Sequence, residues 1–134
     1  MSFDKKKILV VDDEKEVTEY LKLELEDLCP KLIVVCANSG YEGLRNIMSG
    51  EIDLLLTDIA MPDMDGYELF SRAKELNNEL PIIMMTGFGY DPNHVVVKSK
   101  IAGLKEVIFK PFDIQKLINM LKERLDCRDP GNEI

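Results

Sequence analysis

Short apolar runs alternate with amphipathic stretches five times along this chain of 134 residues, and few folds accommodate that rhythm. The runs lie at Lys7–Asp12, Leu32–Ala37, Ile52–Thr57, the PIIMMT stretch and Lys105–Phe109. They are rich in Val, Ile and Leu and lack the apolar-polar alternation of a strand with one wet face, so each reads as a strand buried on both sides. Between them the apolar residues recur at helical spacing. A helix from about Lys15 to Leu28 carries Val17, Tyr20, Leu21, Leu25 and Leu28 on one stripe and stops at Pro30. Ser39 caps a second helix that reaches Met48 and ends at Gly50, and a third from Gly66 to Leu76 buries Leu69, Phe70, Ala73 and Leu76. A fourth begins at Asp91-Pro92, but the β-branched Val95, Val96 and Val97 lower its propensity, so it is expected to be marginal and mobile. Asp113 caps the last helix, whose stripe is Ile114, Leu117, Ile118, Leu121 and Leu125. Strands and helices in this order demand right-handed crossovers. The expected fold is α/β: a five-stranded parallel sheet, doubly wound, in a three-layer sandwich.

Size and charge narrow the function. Residues 1–126 suit one compact domain with a sizeable core, followed by a polar tail at 127–134. With 25 acidic against 17 basic residues the formal net charge is −8, which opposes docking on nucleic acid or an anionic membrane. No apolar stretch is long enough to span a bilayer, and the N-terminal MSFDKKK lacks the apolar core that export needs. Cys29, Cys36 and Cys127 form no CxxC pair, so they read as plain thiols in a reducing cytoplasm. His94, the only histidine, has no companion for a metal site, and the seven methionines read as core filler. The DMDG stretch is a turn and not a calcium loop, because Met61 and Arg72 stand where that loop needs acids. GFGYDP lacks the third glycine of a dinucleotide fingerprint.

Three of the apolar runs close on charge: the first on Asp12 and Asp13, the third on Asp58, the fifth on Lys110. In a doubly wound sheet the ligand crevice lies beyond the carboxyl ends of the strands, so these side chains, with Thr86 from the fourth strand, converge on one rim. Carboxylates about 4 Å apart repel by roughly 4 kcal/mol per pair near a protein surface. Such a cluster asks for a divalent cation, and Lys110 asks for an anion. The plainer alternatives are that Asp12 and Asp13 cap the following helix and that Thr86 is β-branched strand packing.

The motifs ILVVDDE, LLLTDIAMPDMDG, PIIMMTG and FKPF, in this order and covering nearly the whole chain, resemble the receiver domain of two-component response regulators. The resemblance implies a flavodoxin-like (βα)5 fold and a non-enzymatic signalling domain that assists only its own phosphorylation and dephosphorylation. Asp58 is then the phosphoacceptor, Asp12 and Asp13 the acidic pair that helps bind Mg²⁺, Thr86 the switch hydroxyl, and Lys110 the contact to the phosphoryl group. Asp13 and Asp58 would ligate the ion directly, Asp12 through water, and Ala60 through its backbone carbonyl. The donor would be a histidine kinase or a histidine phosphotransfer protein. Output would run through the face of the fourth helix, fifth strand and fifth helix to an unidentified protein target, with homodimer formation left open. A cis Lys110–Pro111 peptide is implied as well. The alternative is a pseudo-receiver, an interaction module of the same fold that is never phosphorylated. Since so short a tail leaves no room for an output domain, the chain is expected either to act by binding partners directly or to be cut from a larger protein. Two departures stand out: Val107 replaces the usual aromatic switch residue, and Ala60 and Phe88, at the positions that tune hydrolysis, cannot orient an attacking water. Slow loss of the phosphoryl group is the expectation.

Overall fold

The computed structural model describes residues 6–86, 106–110 and 113–125. Five parallel strands, β1 (Lys7–Val11), β2 (Ile33–Ala37), β3 (Leu54–Asp58), β4 (Ile82–Thr86) and β5 (Glu106–Phe109), pair in the order β2-β1-β3-β4-β5. Four helices are described, α1 (Lys15–Leu28), α2 (Gly40–Met48), α3 (Gly66–Leu76) and α4 (Ile114–Arg124). The expected α/β class and parallel doubly wound sheet are what the chain forms. The helix expected from Asp91, the Lys110–Pro111 peptide, Phe88, His94, Cys127 and the 127–134 tail lie outside the described residues.

Period-two alternation along the central strands builds two cores, one on each face of the sheet. Ile8, Val10, Leu54, Leu56, Ile83 and Met85 point to the side covered by α1 and α4, where Leu21, Leu25, Leu117 and Leu121 meet them. Leu9, Val11, Leu55, Ile82 and Met84 point to the side covered by α2 and α3, against Ile47, Leu69, Phe70 and Ala73. Caps fix the starts of three helices. The Ser39 hydroxyl accepts from the Glu42 amide, the Asp65 carboxylate from Glu68, and the Asp113 carboxylate from Lys116.

Some expectations fail at element ends. Tyr20 and Leu28 on α1 and Leu76 on α3 are about half exposed, because each lies off the center of the buried stripe or beyond the sheet that would cover it. Thr18 on α1 and Cys29, the residue that follows it, are buried instead. The third strand starts two residues late, at Leu54. Asp53 precedes it and closes the start of β1, its carboxylate accepting from the Lys7 amide at 2.8 Å.

β2 is an edge strand, yet its outward backbone is partly occupied. At Val34 the amide donates to Glu26 Oε2 at 2.9 Å, and the carbonyl accepts from Lys22 Nζ at 2.9 Å. Glu26 and Lys22 sit one turn apart on α1 and bridge each other at 2.9 Å.

Candidate functional site

Register delivers the rim. Val11 lies beside Thr57, Asp58 beside Met85, and Thr86 beside Phe109, so the carboxyl ends of four strands finish level. The residue after β1 is Asp12, the last residue of β3 is Asp58, the last of β4 is Thr86, and the first after β5 is Lys110. Lys110 is tied down by its own amide, which donates to the Thr86 carbonyl at 2.8 Å. The structure therefore brings Asp12, Asp13 and Asp58 together: one carboxylate oxygen of each lies within 4.8 Å of the others.

Their surroundings differ. Asp12 is fully buried and every polar atom it has is occupied. Its amide donates to the Ala37 carbonyl at 3.1 Å, its carbonyl accepts from Asn38 Nδ2 at 2.9 Å, Oδ1 accepts from the Glu14 amide at 2.9 Å, and Oδ2 accepts from Lys110 Nζ at 2.7 Å. Neither Asp12 nor Asp13 caps α1, whose N-cap is Glu14 without a side-chain bond; Asp12 instead closes a two-residue turn on the Glu14 amide. Asp13 is exposed and Ala60 is exposed. The Lys110 ammonium is within ion-pair reach of both buried acids, 2.7 Å from Asp12 and 3.6 Å from Asp58. The fully buried carboxylate has the greater need of a counter-charge, and the ammonium leans toward it.

Burial pushes the Asp58 carboxyl up to about 6, and the neighbouring Asp12 charge adds to the rise, while Lys110 and the Ile59 amide offset part of it. Lys110 is buried enough to disfavour its charge, but the bond to Asp12 and the charges of Asp58 and Asp12 hold it above its usual value. Thr86 Oγ1 is buried and finds no hydrogen-bond partner among the described residues, an unusual state for a hydroxyl in a native interior. Three hard carboxylate groups, one of them exposed and uncommitted, form a donor set suited to Mg²⁺ and unlike the sulfur and imidazole sets of zinc.

Three residues with no role assigned from sequence shape this rim. Asn38 binds the Asp12 carbonyl and also donates to Thr18 Oγ1 at 3.1 Å, joining the loops after β1 and β2. Gly66 starts α3 directly against the acceptor strand: its amide donates to the Ile59 carbonyl at 2.8 Å, and a Cβ there would lie 2.4 Å from the Asp58 carbonyl oxygen. Asp63 accepts from the first two amides of α2, Gly40 at 3.1 Å and Tyr41 at 3.0 Å. Only Gly66 left a trace in the sequence, as a glycine opening a helix where a capping residue had already been supplied by Asp65. An amide and an acid in loops carry no periodicity to read.

Comparison with known proteins gives a consistent picture. The model of the response regulator receiver domain family matches residues 8–122. The transcriptional regulatory protein CusR of Escherichia coli is 30% identical over 119 residues, which take in 89% of this chain and 51% of CusR. The chain thus spans about half the length of that relative. Among solved structures, a CheY-like response regulator receiver domain protein from Methanospirillum hungatei is 36% identical with a TM-score of 0.81, covering 90% of this chain and 94% of that one. A receiver domain protein from Clostridium thermocellum has the same TM-score and coverages at 30% identity.

Proposed function

Because the chain belongs to the response regulator receiver domain family, we propose that it accepts a phosphoryl group on Asp58 from a histidine kinase or histidine phosphotransfer protein, with Mg²⁺, in the cytoplasm. The observation that carries the proposal is the meeting of Asp12, Asp13 and Asp58 within 4.8 Å beside Lys110. With its carboxyl at about 6, Asp58 is largely ionised at neutral pH and available as a nucleophile. Its oxygen attacks phosphorus, the bond from phosphorus to the donor imidazole breaks, and the imidazole leaves to pick up a proton from solvent. Asp13, Asp58 and the Ala60 carbonyl would hold Mg²⁺, with Asp12 reaching it through water; bound there, the ion neutralises charge on the transferring phosphoryl group. Lys110 keeps Asp12 paired at rest and has Asp58 within 3.6 Å, so a short swing of its flexible stem carries the ammonium to the phosphoryl oxygens.

The modified side chain carries roughly two negative charges and needs donors. Thr86 supplies one, since its buried hydroxyl has no competing bond to give up among the described residues. Its movement toward Asp58 biases the loop that follows β4 and, through it, the face that includes β5 and the final helix, where partner binding is switched. Val107 cannot swing a ring in concert with Thr86, so the signal leaves by a route that does not use an aromatic at that position. Incubation with acetyl phosphate and Mg²⁺, followed by intact mass and peptide mapping, tests the assignment. One added phosphoryl group on Asp58, lost in Asp58→Asn, is expected. An unmodified wild-type protein would favour the pseudo-receiver instead.

A further inference from the structure

We propose that Asp63 is a positioning residue for the metal site: by clamping the β3–α3 loop to the N-terminus of α2, it fixes the direction of the Ala60 backbone carbonyl. The inference rests on the reading of Asp58 as a Mg²⁺-dependent phosphoacceptor. Both carboxylate oxygens of Asp63 are used, Oδ1 on the Gly40 amide at 3.1 Å and Oδ2 on the Tyr41 amide at 3.0 Å. The remaining free amides of that first turn are already served within the helix, Glu42 by Ser39 Oγ at 3.1 Å and Gly43 by the Ser39 carbonyl at 3.0 Å. Asp63 therefore does not add a redundant cap; it ties the β3–α3 loop to the start of α2 by two backbone bonds. Beside it the contact is tight, since a Cβ on Gly40 would fall 2.6 Å from Met64 Cβ, and Met64 is buried.

The loop is anchored at its other points too. Ile59 donates to the Met85 carbonyl at 3.1 Å and accepts from Gly66 at 2.8 Å. Only Ala60, Met61 and Pro62 separate the Ile59 anchor from the Asp63 clamp, and Pro62 restricts both its own φ and the backbone of Met61. A segment of three residues pinned at both ends has little freedom left, so the carbonyl of Ala60 is held in place before any ion arrives. Without the clamp, that ordering would have to be supplied on binding, which weakens affinity.

The test is Mg²⁺ titration by calorimetry, repeated with Mg²⁺-dependent beryllofluoride binding, on wild type, Asp63→Ala, Asp63→Asn and Ser39→Ala. Asp63→Ala should weaken Mg²⁺ about fivefold to tenfold, the range expected when ordering equivalent to one capping interaction is transferred to the binding step. Asp63→Asn keeps one acceptor and should recover part of the loss. Ser39→Ala removes a cap from the same helix without touching the loop, so it should lower the unfolding midpoint yet leave Mg²⁺ affinity within about twofold. Equal affinity in wild type and Asp63→Ala, or equal weakening by Ser39→Ala, overturns the positioning role. If Asp63→Ala does not fold, Asp63→Asn decides alone, and wild-type affinity in it counts against the proposal. A wild-type protein that takes up no Mg²⁺ removes the metal site itself, and the inference with it.

Discussion

Asp58 is held in a place that suits its ionised form poorly, so replacing it with a neutral residue of the same shape should make the ion-free protein more stable. Its carboxyl rises from 3.8 to about 6 on folding. Each tenfold change in proton affinity is worth about 1.4 kcal/mol, which sets a ceiling of about 3 kcal/mol at neutral pH. Water reaching the rim at exposed Asp13 and around Lys110 screens part of this, leaving about 1–2 kcal/mol. The sign follows from the order of ionisation. As pH rises, the unfolded chain loses the proton first, near 3.8, and the folded chain only near 6, so stability falls across that window and stays reduced above it. Asp58→Asn should therefore unfold about 4–8 °C higher than wild type at pH 7 without metal. The gap should shrink steadily as pH falls through the window and vanish only below the unfolded value of 3.8, and millimolar Mg²⁺ should narrow it by stabilising wild type only. Thermal unfolding followed by circular dichroism, at several pH values and with chelator or Mg²⁺, measures all three. A less stable Asp58→Asn in chelator, or a gap independent of pH, would refute the reasoning.

Lys110→Met should act in the opposite direction, costing about 2–4 kcal/mol in chemical denaturation, because it strands the fully buried Asp12 carboxylate that Lys110 contacts at 2.7 Å. Gly66→Ala places a methyl 2.4 Å from the Asp58 carbonyl oxygen, so either α3 or the acceptor strand must shift; a loss of about 2–4 kcal/mol and a larger fractional loss of phosphorylation are expected, and a neutral outcome in both would contradict the packing. With Ala60 and Phe88 unable to orient water, the phosphorylated protein should decay slowly in Mg²⁺ buffer, and Ala60→Asn should speed the decay measured by loss of the added mass. Relaxation-dispersion NMR should show exchange in residues 87–110 that beryllofluoride alters; a silent segment in both states would count against switching by that route.

The central strands were legible because they are buried on both faces and so read as unbroken apolar runs, and the rim followed from the residues that end those runs. Chemistry alone could not say which acid Lys110 would choose. Three carboxylates were within reach in principle, and the depth of Asp12 relative to Asp58 is a property of the twist and register of the sheet rather than of any spacing in the chain. Periodicity likewise overestimated the buried stripes at Tyr20, Leu28 and Leu76, since it marks the side of a helix but not where the sheet beneath it stops. Asp63 and Asn38 escaped notice for a different reason. Both act on backbone groups of another loop, and an isolated polar residue between elements looks the same whether it binds a distant amide or only water.

At the opposite flank from β5, the bonds from Lys22 and Glu26 to Val34 have a consequence for how this molecule meets its neighbours. A foreign strand arriving there would have to evict an ammonium and a carboxylate that also satisfy each other, and would gain only the two main-chain bonds it displaced. Copies packed at high concentration are thus discouraged from zipping together along that border, and recognition on this flank must be written in side chains.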